Sequence, residues 1–130
     1  MGKSRHGGPW LFIANRLGLS GLRLVIDPKG TPRLQPVWKN HHGGTSPIVA
    51  NGVLFYAGSG NIRALNPSDG QPLWRDSRIG RIHWESPVIA DGKLYITDEI
   101  GDLTAYAMAG VRRRGAEGNA SGRRPSLLVN

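Results

Sequence analysis

The chain has 130 residues, no cysteine and a formal net charge of +8, which excludes disulfides, thiolate metal sites and a cysteine nucleophile. Its 38% hydrophobic content suits a packed core, whereas 19 Gly and 9 Pro interrupt it too often for long helices. The charge is peripheral: residues 7–110 hold 10 basic and 8 acidic side chains, and Lys3, Arg5 and the arginines beyond Gly110 supply most of the excess.

In chain order, residues 1–9 read as a flexible N-terminus. Trp10 to Ala14 is apolar, but too short for a signal-peptide core or a membrane span. Trp10-Leu11-Phe12-Ile13-Ala14-Asn15 is then echoed by Val53-Leu54-Phe55-Tyr56-Ala57-Gly58 and Lys93-Leu94-Tyr95-Ile96-Thr97-Asp98. Copies therefore start near positions 10, 53 and 93. A period near 40 built from short β-type runs is the mark of a β-propeller blade, which buries its faces against neighbouring blades.

Each later copy opens with a hairpin. Ser46-Pro47-Ile48-Val49-Ala50 precedes Asn51-Gly52 and the Val53 run, while Ser86-Pro87-Val88-Ile89-Ala90 precedes Asp91-Gly92 and the Lys93 run. Asn-Gly and Asp-Gly between β-branched or aromatic runs specify type I′ turns, which need positive φ at both central residues. A third strand follows, Ile62-Arg63-Ala64-Leu65 in one copy and Leu103-Thr104-Ala105-Tyr106 in the next, with Leu22-Arg23-Leu24-Val25 assigned to that place in the first. Pro36-Val37-Trp38-Lys39 and Pro72-Leu73-Trp74-Arg75 make a fourth. The expected fold is all-β, in antiparallel four-stranded blades. Residues 10–110 are expected to form the partial propeller and residues 111–130 a disordered, basic Arg/Gly-rich tail.

The segment Ala64-Leu65-Asn66-Pro67-Ser68-Asp69-Gly70-Gln71-Pro72-Leu73-Trp74 resembles the tryptophan-docking motif of PQQ-type, quinoprotein-like β-propeller repeats. The usual Asp, Thr and Lys of that motif are replaced by Asn66, Asp69 and Gln71. The resemblance covers roughly Trp10 to Met108 and implies an incomplete PQQ-like β-propeller. Two to three blades cannot close a ring alone, since propellers close with about four to eight. The repeat patterning stops near Met108, and both ends read as cut inside a blade, as expected of a fragment of a longer propeller or a disrupted reading frame.

Trp38 and Trp74, at one repeat position, are expected to staple adjacent blades and to find a backbone acceptor for the indole N–H. Trp84 lies outside that pattern and is the candidate for a ligand or partner surface, with inter-blade packing as its structural alternative. His41-His42 invites a metal reading, but adjacent residues of an extended segment point to opposite sides. Glu85, Asp91, Asp98, Glu99 and Asp102 lie in or near turns. Asp91 and Asp102 suit turn positions, and Asp98-Glu99 is expected to be a solvated hairpin end. No catalytic, cofactor-binding or metal-binding residue is assigned.

The resemblance implies two functions. The preferred one is non-catalytic binding or scaffolding, with a protein partner or the missing blades of a longer propeller on the other side. The alternative is a piece of a PQQ-dependent dehydrogenase, with PQQ and calcium held by blades outside this chain. A nucleic-acid partner is not expected, because the basic tail lacks interleaved aromatics. Related repeats are usually periplasmic or exported, but no signal peptide is legible here, so localisation is left open.

Overall fold

The computed structural model describes residues 8–109 and 126–129. Among them are eleven strands in three antiparallel sheets. The first sheet contains β1 (Trp10–Asn15), β2 (Gly18–Ile26) and β3 (Pro32–Asn40), in that order. The second contains β4 (Thr45–Ala50), β5 (Val53–Gly58), β6 (Asn61–Leu65) and β7 (Pro72–Asp76). β8 (Val88–Ala90), β9 (Lys93–Thr97), β10 (Leu103–Ala109) and β11 (Ser126–Val129) form the third.

Each sheet is a meander, with sequential strands side by side, and from β1 to β10 the connections within a sheet are short enough to return the chain beside the strand it has just left. The Asn51-Gly52 and Asp91-Gly92 turns have the left-handed geometry expected of them, with φ of 48° and 72° in the first and 49° and 70° in the second. The β1–β2, β5–β6 and β9–β10 turns therefore share one end of the sheets with the linkers 41–44 and 77–87. The remaining turns lie at the other end.

Two apolar clusters hold the three sheets together. Leu19 of the first sheet packs with Leu54, Tyr56 and Leu65 of the second, and Phe12 and Trp38 close this cluster. The other face of the second sheet supplies Ala57, Ile62, Phe55 and Trp74, which meet Leu94, Ile96 and Tyr106 of the third. The second sheet is thus covered on both faces, which explains why the Val53 run is apolar at successive positions rather than alternating.

Three sequence expectations are corrected. In β2, register places Leu19 opposite Ala14 and Gly21 opposite Trp38, just as Ile62 lies opposite Ala57 and Ala64 opposite Trp74. The counterpart of Ile62–Leu65 is therefore Leu19–Leu22, not Leu22–Val25. A small residue must sit beside the tryptophan, and β2 supplies Gly21, whose added Cβ would strike the Trp38 ring. In the third sheet Ser86 and Pro87 lie outside β8, where Pro87 has no N–H to donate to a ladder. Finally, Ser126–Val129, assigned to the featureless tail, pair with Tyr106–Ala109 as a fourth strand. A short β-competent segment here pairs the otherwise open edge of β10. Residue 110 of the expected propeller, the rest of the expected tail, 111–125 and 130, and residues 1–7 of the expected flexible N-terminus lie outside the described residues.

Candidate functional site

The tryptophans separate into two kinds. Trp38 lies between the first two blades, with its ring over Gly70 and its Nε1 donating to the Pro67 carbonyl at 2.9 Å. Gly70 has φ +72°, and a Cβ there would come within 2.5 Å of the ring. The 66–70 turn that receives the ring is self-bonded: Gly70 N–H donates to the Asn66 carbonyl at 2.8 Å, and Asn66 Oδ1 accepts from Ser68 N at 3.0 Å. Trp74, at the equivalent position in the second blade, instead meets Tyr106 edge to face with ring centroids 5.1 Å apart.

Two residues after each tryptophan stands a polar cap. Asn40 Oδ1 accepts the N–H groups of Leu19 and His42, and its Nδ2 donates to Tyr56 Oη at 3.2 Å. Tyr56 in turn donates to the His42 carbonyl at 3.2 Å. Burial, only partly offset by the Asn40 contact and the charge of Arg63, raises the Tyr56 hydroxyl above its ordinary pKa. Asp76 repeats the arrangement with a charge: its Oδ2 accepts from Tyr106 Oη at 2.9 Å and its Oδ1 from Arg78 Nε at 2.8 Å. Burial opposes ionisation of Asp76, but the bonds from Arg78 and Tyr106 together outweigh it and hold the carboxyl below its usual range. Burial and the adjacent carboxylate push the Tyr106 hydroxyl well up.

Trp84 is different. It is 80% exposed, yet the 77–87 linker that carries it is fixed at several points. Ile79 and Ile82 are buried in the cluster between the second and third blades. Gly80 N–H donates to Asp98 Oδ2 at 3.1 Å, the Gly80 carbonyl accepts from Gly60, and Thr45 Oγ1 donates to the Glu85 carbonyl at 2.8 Å. Glu85 Oε2 receives the N–H groups of His83 at 2.7 Å and Trp84 at 3.0 Å. The His83 N–H leads the backbone groups that hold the Glu85 carboxyl below its usual range. The two anchoring isoleucines turn inward, which leaves His83 and Trp84 outward and stacked with centroids 4.5 Å apart.

This pair borders a cleft of about 500 Å³ between the linkers and the β1–β2 and β5–β6 turns. Asn15, Arg16, Thr45 and Ile82 also line it. The cleft combines a flat aromatic platform, a guanidinium and a few hydroxyl and amide groups. Such a surface can hold another molecule by stacking and hydrogen bonds.

The other polar residues singled out in the sequence have local tasks. Asp98 is not a solvated hairpin end: it is buried, and its carboxylate accepts the N–H groups of Gly80, Ile100 and Asp102, tying the linker to the β9–β10 turn. Alternation marks Asp98 only as a turn residue, because its decisive partner, Gly80, is remote in sequence. Glu99 lies 3.4 Å from His83 Nδ1 and 3.8 Å from Arg81 Nε. Asp91 occupies its hairpin turn. His41 and His42 are in the short linker, where the backbone of His42 serves Asn40 and Tyr56. Among the described residues, no group of three or more His, Asp or Glu converges as a metal site, and no helix is long and apolar enough to cross a membrane.

No family model and no curated protein matches the chain in sequence. Among solved structures, the crystal structure of BamB from Moraxella catarrhalis is similar, with a TM-score of 0.55 and 20% identity over 78% of this chain. The chain spans 35% of that protein's length. The three sheets and this likeness show an all-β, antiparallel fold of β-propeller type.

Proposed function

We propose that this chain is a non-catalytic propeller segment that binds another protein through the loop face carrying His83 and Trp84. The observation behind this reading is the 80% exposure of Trp84 on a linker that is otherwise fixed. A large amphipathic ring held out on a rigid support loses little conformational entropy on binding, which is how aromatic residues anchor protein interfaces. The fold likeness to BamB is compatible with scaffolding by such a face. Under the same reading, residues 64–74 act as the tryptophan-docking segment of a PQQ-type repeat, supported by the contact of Trp38 with Pro67 and Gly70.

Site-specific photo-crosslinking tests the proposal. A photoreactive side chain replacing Trp84 is expected to capture a discrete protein adduct in the native host, and one replacing Lys29, in the β2–β3 turn at the opposite end, is not. Equal capture from both positions, or none from the first, overturns it. Stoichiometric binding of PQQ with calcium in a calorimetric titration overturns the non-catalytic part.

A further inference from the structure

The most exposed large apolar side chains among the described residues are Trp84 at 80%, Ile100 at 78% and Leu17 at 70%. All stand at one end of the sheets: Leu17 in the β1–β2 turn, Trp84 in the 77–87 linker and Ile100 in the β9–β10 turn. Blades stack through their sheet faces, so an end built of turns stays a surface whichever blades flank these three. A single exposed leucine there would need no explanation, but three bare apolar groups brought together from remote segments mark an interaction site.

Each of the three is also held in place. Leu17 N–H donates to Asn15 Oδ1 at 2.8 Å, Trp84 N–H to Glu85 Oε2 at 3.0 Å and Ile100 N–H to Asp98 Oδ1 at 3.2 Å. A side-chain acceptor thus fixes the backbone under every one of these groups, and less entropy is lost on binding. The patch is continuous as well. Arg16, next to Leu17, lines the cleft with His83 and Trp84, and Glu99, next to Ile100, lies 3.4 Å from His83 Nδ1.

Charge decides what fits this patch. Glu85 and Asp98 are engaged by backbone N–H groups, and Glu99 faces His83 and Arg81. No carboxylate lines the cleft, whereas Arg16 does, and among the described residues Arg16 makes no ion pair. Its backbone is seated on the 41–44 linker: Gly44 N–H donates to the Asn15 carbonyl at 3.0 Å, and Gly43 packs so closely on the Arg16 carbonyl that a Cβ would strike it. Ser46 lines the same cleft with φ 39°, a left-handed conformation of the kind that strained binding sites retain.

We propose that the partner presents an acidic protein segment to this face, with a carboxylate paired to Arg16 and apolar side chains on either side of it that cover Leu17, Trp84 and Ile100. This inference rests on the reading of the loop face as protein-binding, and adds the extent of the interface and the chemistry of the partner. A wholly apolar segment would cover the Arg16 guanidinium without pairing it, which is costly, whereas a carboxylate both pairs it and sets the register of the contact.

The test uses the full 130-residue chain. Photoreactive side chains placed in turn at Leu17, Trp84 and Ile100 are expected to capture the same protein in the native host, and mass spectrometry of the crosslinked peptide is expected to find Asp or Glu close to the point of attachment. Arg16→Glu is expected to lower the yield from position 84 about tenfold, Arg16→Lys to keep most of it, and Lys29→Glu, at the opposite end, to leave it unchanged. A synthetic copy of the crosslinked peptide is expected to bind the wild-type chain about tenfold more tightly than the same peptide with its carboxylates replaced by amides. That measurement stands even if a variant misfolds. An adduct from position 84 that is missing at Leu17 or Ile100, a crosslinked peptide without Asp or Glu, or a yield insensitive to Arg16→Glu overturns this proposal and leaves protein binding at Trp84 in place. No adduct from position 84 overturns both readings, and co-sedimentation with phosphatidylglycerol vesicles in that case would assign the apolar tips to a membrane surface instead.

Discussion

The two blade junctions of this chain use equivalent positions to different ends. Between the first and second blades, Trp38 is gripped by Gly21 and Gly70 and tied by its N–H to Pro67, while the neutral Asn40 bonds Tyr56. Between the second and third, Trp74 leans on the edge of Tyr106, and the polar tie is an ionised carboxylate, Asp76, held by Tyr106 and Arg78. One junction rests on shape and neutral hydrogen bonds, and the other on a buried charge. The two junctions share the place of the contact but not its chemistry.

The largest effect expected from this contrast is on stability. Trp38→Ala removes a ring seated between two glycine surfaces and is expected to cost about 3–5 kcal/mol. Trp74→Ala is expected to cost less, by about the 1 kcal/mol of the hydrogen bond that Trp38 makes to Pro67. Urea unfolding of the two variants measures the difference, and equal midpoints would remove the distinction between the junctions.

Next in size is the carboxylate. Asp76→Ala leaves the Tyr106 hydroxyl buried without its acceptor and is expected to cost about 1–3 kcal/mol. Adding Tyr106→Phe should recover part of the loss, because it removes the orphaned donor. A double-mutant cycle that shows no coupling would mean that the 2.9 Å contact does not bind the blades.

The same residue makes the second junction sensitive to acid. A carboxyl whose folded pKa is depressed contributes stability above its unfolded pKa, near 4, and that contribution is lost as the pH falls through the folded value. Asp76 has this sign, whereas Asn40 does not titrate. Acidification is therefore expected to lower amide-exchange protection in β9 and β10 before β2. Asp76→Asn should abolish the order, and simultaneous loss in both regions of the native chain would contradict it.

What could be read in the sequence follows the range of the physics. The hairpins are local events, and Asn51-Gly52 and Asp91-Gly92 specify them through φ alone. The apolar run at Val53 likewise reports a strand covered on both faces. The place of Leu19–Leu22 in β2 was not legible, because it depends on which residue lies beside Trp38 rather than on the apolar pattern of Leu22–Val25. Asp98 was misread for a similar reason, since Asp at a hairpin end looks solvated until a remote N–H such as that of Gly80 is brought to it. Trp84 stood out by breaking the repeat, but its exposure is set by Ile79 and Ile82 anchoring the linker on either side of Gly80 and Arg81. No periodicity encodes that.

The smallest expected effect concerns Trp84, and its smallness is the point. If the linker is held by Ile79, Ile82 and the Glu85 and Asp98 bonds, removing an outward ring that only stacks on His83 should change stability by no more than about 0.5 kcal/mol. Trp38 and Trp74 sit against blade cores, so Trp84 should supply the most quenchable part of the tryptophan emission. Trp84→Phe is then expected to shift the emission maximum to shorter wavelength and to reduce acrylamide quenching, with the urea midpoint unchanged. A large stability loss would instead place Trp84 among the residues that hold the blades together. The two measurements separate a ring kept for packing from one kept outside, and only the second kind is free to meet a partner.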